Sequence, residues 1–299
     1  MQVTVVPASP KTGQATIRTL LADPSNPTVK GYYRDLSKVP AEFTSNPRFE
    51  AVKGDVEDAG SLDFSGSDTV LNITPPLYEE KDIIAHARLV SENVKAAVKK
   101  AASVKRLVLL SSVGAQYDHG TGEIRTNHEA EAILKDAAAE VVFVRCAYFM
   151  ENWAMSLDTI LREGFFYTTL TPLDHALPMI AVQDIGSTCA AELLGAGNTA
   201  LPSNPHIFEL HGPRAYTSVD VQQAFEEVMG KSIEMRPIEK AGLDEFYAAV
   251  FPPMVAKEFA AMNASYLEGG ILYEDPQPTV REKGTTELLD VVRQMLLGA

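Results

Sequence analysis

Apolar positions in the first half of the chain alternate between short β-branched runs and longer stretches with helical spacing. Gln2–Val6 is a β-branched run stopped by Pro7, and over residues 12–21 Ile17, Leu20 and Leu21 share a helical face. Further strands are predicted at Thr28–Tyr33, residues 49–52 and Thr69–Ile73, the last followed by Pro75 and Pro76. A long helix is expected over 79–102. Ile83, Ile84, Ala87, Val90, Val94 and Val98 lie on one face, and Lys95, Lys99 and Lys100 lie near the end where the helix dipole favours cations. Residues 106–110 and 141–144 read as apolar strands covered on both faces, with a helix over 125–138 between them. This alternation predicts an α/β fold built on a doubly wound parallel sheet with right-handed crossovers.

After Phe149 the rhythm changes. Short strands near Phe165–Thr168, 177–181 and 206–210 interleave with helices at 184–194, 219–229, 243–251 and 287–297. The expected organisation is a domain over residues 1–150 and a smaller α+β C-terminal lobe over 151–299. Pro202, Pro205, Pro252, Pro253, Pro276 and Pro278 punctuate loops in that lobe.

Composition narrows the partners. With 45% hydrophobic and 22% charged residues the chain has a globular composition, which excludes disorder. A net charge of −14 argues against nucleic acid and against an anionic membrane surface, because both need a basic field. Cys146 and Cys189 lie in apolar runs and read as reduced core thiols. No run reaches the ~18–20 apolar residues of a spanning helix, and Met1 leads straight into a strand-like run, so a cytoplasmic protein is expected. Nothing in the sequence states an oligomeric state.

In a doubly wound sheet a dinucleotide pyrophosphate rests on the N-terminus of the first helix, which directs attention to residues 7–13. Where Gly-x-x-Gly-x-x-Gly is expected, the chain has Pro7-Ala8-Ser9-Pro10-Lys11-Thr12-Gly13, with only the third glycine in place. Pro7 and Pro10 can neither take a positive-φ turn nor donate to phosphate. The N–H groups of Lys11, Thr12 and Gly13 remain, as do the Lys11 ammonium and the hydroxyls of Ser9 and Thr12. Two readings stand: a plain strand-to-helix turn, or an anion site in altered form. At the end of the second strand an Arg accommodates the 2′-phosphate of NADP. Arg34 and Lys38 stand at that edge and favour NADP; the alternative is solvated basic residues.

Those segments, followed by Lys53-Gly54-Asp55-Val56, Asn72-Ile73-Thr74-Pro75-Pro76, Leu110-Ser111-Ser112-Val113-Gly114-Ala115 and the run from Arg145 to Trp153, resemble the NmrA-like family of atypical short-chain dehydrogenase/reductase proteins. Val182-Gln183-Asp184-Ile185-Gly186 and Glu209-Leu210-His211-Gly212-Pro213 are similar to signatures of that family's second lobe. The resemblance implies a Rossmann-like domain with NADP(H) as cofactor. By position, Arg34 and Lys38 would hold the 2′-phosphate, and Asp55 and Val56 would flank the adenine. Thr74 and Pro75 would line the cofactor's middle, and Tyr148, Phe149 and Met150 would border the nicotinamide. The family includes quinone, carbonyl and imine reductases, non-catalytic redox sensors and natural-product tailoring enzymes. The chain departs from it in the first loop, where prolines occupy two glycine positions.

Typical short-chain reductases set a Tyr-x-x-x-Lys pair beside a Ser, the Lys lowering the Tyr pKa so that the phenol can protonate a carbonyl oxygen. Ser111 and Ser112 follow the strand ending at Leu110, and Tyr117 follows closely, but residue 121 is Thr and the pair is absent. His128 titrates nearest neutrality and is an acid/base candidate if it points into the cleft; the alternative is a surface or packing histidine. Tyr117 competes for that role, with Ser112 beside them. Glu131 either orients His128 by an i, i+3 contact or faces solvent. His175, His206 and His211 lack metal-ligand spacing, so no metal is expected. Asp184 is read as a helix cap. Asn127, Met150, Trp153 and Tyr266 are candidate substrate contacts, in a cleft suited to a small, uncharged, hydrophobic molecule.

Three functions are compatible with these residues. One is an NADP(H)-dependent oxidoreductase acting on a C=O, C=N or activated C=C. Another is a non-redox isomerase that binds NADP(H), and the third is a non-catalytic NADP(H) sensor.

Overall fold

A computed structural model describes residues 1–79, 81–197, 200–273 and 280–298. The loop prolines Pro276 and Pro278, and Glu80 within the expected long helix, lie outside the described residues. In the first half, strands β1 (Gln2–Val6), β2 (Thr28–Tyr33), β3 (Phe49–Lys53), β4 (Thr69–Ile73), β5 (Arg106–Ser112) and β6 (Glu140–Cys146) alternate with helices α1 (Lys11–Ala22), α2 (Ala41–Thr44), α3 (Ile83–Lys100) and α4 (Arg125–Leu134). There follow β7 (Tyr148–Phe149), α5 (Leu157–Glu163), β8 (Phe165–Thr168), β9 (Leu177–Ile180), α6 (Val182–Leu194) and β10 (His206–His211). The remaining elements are β11 (Ala215–Tyr216), α7 (Ser218–Met229), β12 (Glu234–Pro237), α8 (Leu243–Ala248), α9 (Pro253–Tyr266), β13 (Arg281–Lys283) and α10 (Leu288–Leu297).

The main sheet is parallel throughout, in the order β13-β10-β6-β5-β4-β1-β2-β3. Its direction of growth reverses between β1 and β4, which opens a crevice at the carboxyl ends of those strands. Two apolar layers hold it. Val108 and Leu110 of β5 face a core with Ile17, Leu20, Ile185 and Leu193, whereas Leu107 and Leu109 face Val90, Val94, Val98 and Leu134. Burial on both faces explains why β5 reads as an apolar run rather than an alternation. Arg106, at its start, is 2% exposed; its guanidinium donates to Glu140 Oε2 (2.8 Å) and to the Glu192 carbonyl (2.7 Å).

Strands β10 and β13 come from beyond residue 150 yet extend this sheet past β6, and α6 lies against α1. That helix contact is close: a Cβ on Gly186 would stand 2.6 Å from Ala15 carbonyl carbon and Cβ. The β11-β9-β7 and β12-β8 sheets, with the helices around them, enclose a separate core that includes Phe166, Tyr216, Phe225 and Val291.

Three local expectations are corrected. The long helix begins at Ile83, because Asp82 accepts from Ile84 N (2.9 Å) and Ala85 N (3.0 Å) and leaves the residues after Pro76 as a loop. Loss of this cap in Asp82→Ala is expected to cost about 1 kcal/mol in a denaturant titration. Asp184 does not cap α6; it sits in the first turn and holds Thr286 through N (2.9 Å) and Oγ1 (2.8 Å), while Glu151 Oε1 accepts from Val182 N (2.9 Å). Pro252-Pro253 opens α9 rather than marking only a loop, since proline in a first helical turn sacrifices no helical hydrogen bond. Among the described residues no helix is long and apolar enough to cross a membrane.

Candidate functional site

The crevice is floored by the turn from β1 into α1. Ala8 N donates to the Tyr32 carbonyl (2.9 Å), and the Gln14 side chain donates to the Ser9 carbonyl (2.8 Å), bracing the turn from both sides. A Cβ on Gly13 would lie 3.0 Å from the Ala8 carbonyl oxygen and 3.2 Å from that of Pro7, so the surviving glycine lets the helix rest directly on the turn. Pro10 supplies no side-chain cap, and the first helical bond runs from Gln14 N to the Pro10 carbonyl (2.9 Å). The N–H groups of Lys11, Thr12 and Gly13 precede that bond, and the first turn carries no acidic residue, leaving the positive end of the dipole available to an anion.

Two cavities meet over this turn. The outer one, about 450 Å³, is lined by Ser9, Arg34, Asp55, Val56, Pro75 and His86 among others. The inner one, about 620 Å³, is lined by Lys11, Thr12, Thr74, Ser111, Ser112, Glu123, Asn127, Tyr148, Phe149 and Tyr266 among others. Pro10, Pro76 and Tyr78 border both, so together they form one crevice across the switch point. Thr74 Oγ1 is buried without a hydrogen-bond partner among the described residues, as a hydroxyl waiting for a ligand atom is. The free helix start, the close approach at Gly13 and this hydroxyl fit a dinucleotide.

Lys38 is exposed and does not line the outer cavity, where Arg34 is the cation from the β2 edge. Met150 and Trp153, at 0% and 4% exposure, belong to the separate core with Phe166 and Phe225, and neither lines the inner cavity. His128 and Tyr117 do not line it either. His128 Nδ1 lies 2.9 Å from the Ala115 carbonyl, and Tyr117 packs on that same core. Glu131 neither orients His128 nor faces solvent. It is buried and takes two hydrogen bonds from Arg145, Nε at 2.9 Å and Nη2 at 2.7 Å, and one from Ser111 Oγ at 2.6 Å. Ser112 Oγ donates to the Val113 carbonyl (3.0 Å) on the cavity wall.

Glu123 was not singled out from the sequence, where an acid just before a helix reads as a partner for the helix dipole. It sits in a 3-10 turn over Gly122–Ile124 and lines the inner cavity. Burial pushes its pKa up to about 7; Glu258 pushes in the same direction, and a long hydrogen bond from Thr126 Oγ1 (3.4 Å) opposes them. Burial also raises the Tyr148 and Tyr266 phenols well above their ordinary range. Among the described residues no group of three or more His, Cys, Asp or Glu could hold a metal ion.

A doubly wound sheet with a free helix start at its switch point defines a dinucleotide-binding protein of Rossmann type. A family model described as NAD(P)H-binding matches residues 8–174, and the chain belongs to that family. Similar solved structures include the Citrobacter sp. triphenylmethane reductase complexed with NADP(H), with 18% identity, a TM-score of 0.72, and coverage of 99% of this chain and 100% of the other. An NADPH-dependent quinone oxidoreductase from Escherichia coli, complexed with NADPH, has 19% identity, a TM-score of 0.71 and the same coverage. NmrA, a negative transcriptional regulator, has 14% identity and a TM-score of 0.69, over 98% of this chain and 94% of its own. At these identities the likeness is one of fold. A search of curated proteins finds no match.

Proposed function

We propose that the protein is an NADP(H)-dependent oxidoreductase that reduces a C=O, C=N or activated C=C of a small hydrophobic molecule. The observation that carries this reading is the junction of the two cavities: a dinucleotide-sized crevice with a cation at one end runs into a chamber walled by aromatic and aliphatic side chains. Arg34 would hold the 2′-phosphate, the start of α1 with Ser9, Lys11, Thr12 and Gly13 would hold the pyrophosphate, and Asp55 and Val56 would flank the adenine. Thr74 and Pro75 would lie along the middle, with Tyr148 and Phe149 beside the nicotinamide. Reduced nicotinamide, when bound, supplies a hydride. Tyr148, Phe149 and Tyr266 exclude water from the acceptor, and Asn127 and Ser112 orient it by hydrogen bonds.

Calorimetric titration with NADPH, NADP and NADH tests the first half of this reading. Arg34→Ala is expected to weaken NADPH by roughly 10- to 100-fold, the worth of a charge-assisted contact, and to leave NADH nearly unchanged. Equal weakening of both would sink the assignment. Transfer of deuterium from 4-deuterated NADPH to an acceptor tests the second half; tight binding without transfer would favour the isomerase or sensor readings.

A further inference from the structure

We propose that Glu123 delivers the proton that completes reduction in the inner cavity, a role that rests on the reductase reading. Its position is fixed by the backbone rather than by a flexible loop. Gly122 has φ +54°, and a Cβ there would stand 2.1 Å from the Glu258 carbonyl oxygen and 2.3 Å from Met262 N, so the 3-10 turn lies against the α9 backbone. From that seat Glu123 lines the cavity with Asn127, Tyr148, Met262 and Tyr266.

The other acids of the wall are less suited. Glu151, the second carboxyl lining the cavity, is also raised by burial, but the N–H of Val182 at the start of α6 and the Lys11 cation hold back that rise by favouring its charged form. Tyr148 and Tyr266 hold their protons too tightly to release them near neutrality, because burial raises both. Of the groups around it, Glu258 adds to the upward push of burial on Glu123 and the Thr126 hydroxyl opposes it, while the neighbouring phenols are neutral. From α9 come the Glu258 carboxylate, held 3.7 Å from Arg125, and the Tyr266 phenol; from the loop after β4 comes the Tyr78 phenol. A carboxyl with a buried face and a like charge nearby is still protonated near neutrality.

The step balances simply for a carbonyl acceptor. As hydride from NADPH bonds to the carbonyl carbon, the C=O π pair moves to oxygen, the Glu123 O–H bond breaks and the substrate O–H bond forms. The substrate gains two electrons, NADPH is oxidised to NADP, and water at the cavity mouth reprotonates the carboxylate.

The test uses the whole protein and has two readouts. In pH-difference infrared spectra without cofactor, wild type is expected to show a protonated-carboxyl band titrating near 7 that is absent from Glu123→Gln. Glu258→Gln should shift that titration to lower pH, because it removes the like charge and frees the Arg125 cation. With benzaldehyde as the probe carbonyl acceptor, wild-type kcat should fall as pH rises through the same value. Glu123→Gln should lose that limb and roughly 100-fold in kcat while binding NADPH as wild type does. Titration of Glu123 in the ordinary carboxylate range, or an unchanged pH limb in Glu123→Gln, would overturn the proposal and leave the reductase reading intact. Failure of wild type to bind NADPH would overturn both, and the calorimetric signal distinguishes that case.

Discussion

Gly122→Val is expected to lower stability by about 3–5 kcal/mol, an overpacking cost joined to the strain of a β-branched residue at positive φ. The clash is with backbone, the Glu258 carbonyl oxygen at 2.1 Å and Met262 N at 2.3 Å, so no rotamer change relieves it. Either α9 moves off the 3-10 turn or the turn unwinds. In both cases the inner cavity loses the wall that carries Glu123, Met262 and Tyr266. Thermal unfolding should fall by roughly 5–10 °C. Gly164→Ala is the informative control: Gly164 also has positive φ (+76°), but a Cβ there meets nothing within 4 Å. That variant should lose only about 1 kcal/mol of conformational strain. Similar losses in Gly122→Val and Gly164→Ala would show that α9 does not press on the turn.

The second large effect concerns the ion pair beneath the cavity. Glu131 and Arg145 are 7% and 8% exposed, and two hydrogen bonds join them; Ser111 Oγ completes the carboxylate's shell, and Gln116 Oε1 accepts from Arg145 Nη1 at 3.3 Å. Glu131→Leu leaves a guanidinium buried without its counter-charge, and Arg145→Met leaves a carboxylate in the same position. Each is expected to cost about 3–5 kcal/mol in urea titration. The double variant should recover most of that loss, because an apolar pair of similar volume carries no desolvation penalty. Additive losses in the double variant would mean that the pair is a minor contributor and that the two residues act through packing alone.

The strand–helix alternation made the parallel sheet legible, because a strand buried on both faces has to be apolar along its whole length, as 107–110 are. The ends were less legible. Asp82 stops α3 from starting at 79 by accepting two N–H groups, a local bond that competes with a face pattern extending further back. Helix α9 was hidden by Pro252 and Pro253, residues that break a helix interior but begin one without loss. In the candidate site, Ser112 is placed by the end of its strand, whereas Thr74 and Tyr148 were reached only through the family resemblance; all three line the inner cavity. Which way a helical side chain turns is decided by tertiary contacts. His128 goes to the Ala115 carbonyl and Glu131 to Arg145, and a sequence carries no sign of either partner. Glu123 escaped for the same reason: its burial comes in part from α9, more than a hundred residues later.

The pairing of α1 with α6 sets an order of events during synthesis. Strand β1 and helix α1 are among the first residues made, but one flank of α1 is closed by Gly186 and its neighbours, which emerge much later. Until then the flank of that helix facing α6 is open, although Ile17 and Leu20 already meet the early strands, and the sheet lacks β10. Contacts of such long sequence separation are slow to form. The seat of residues 11–22 is therefore completed only after α6 has been made, whatever the intrinsic helix-forming tendency of those residues.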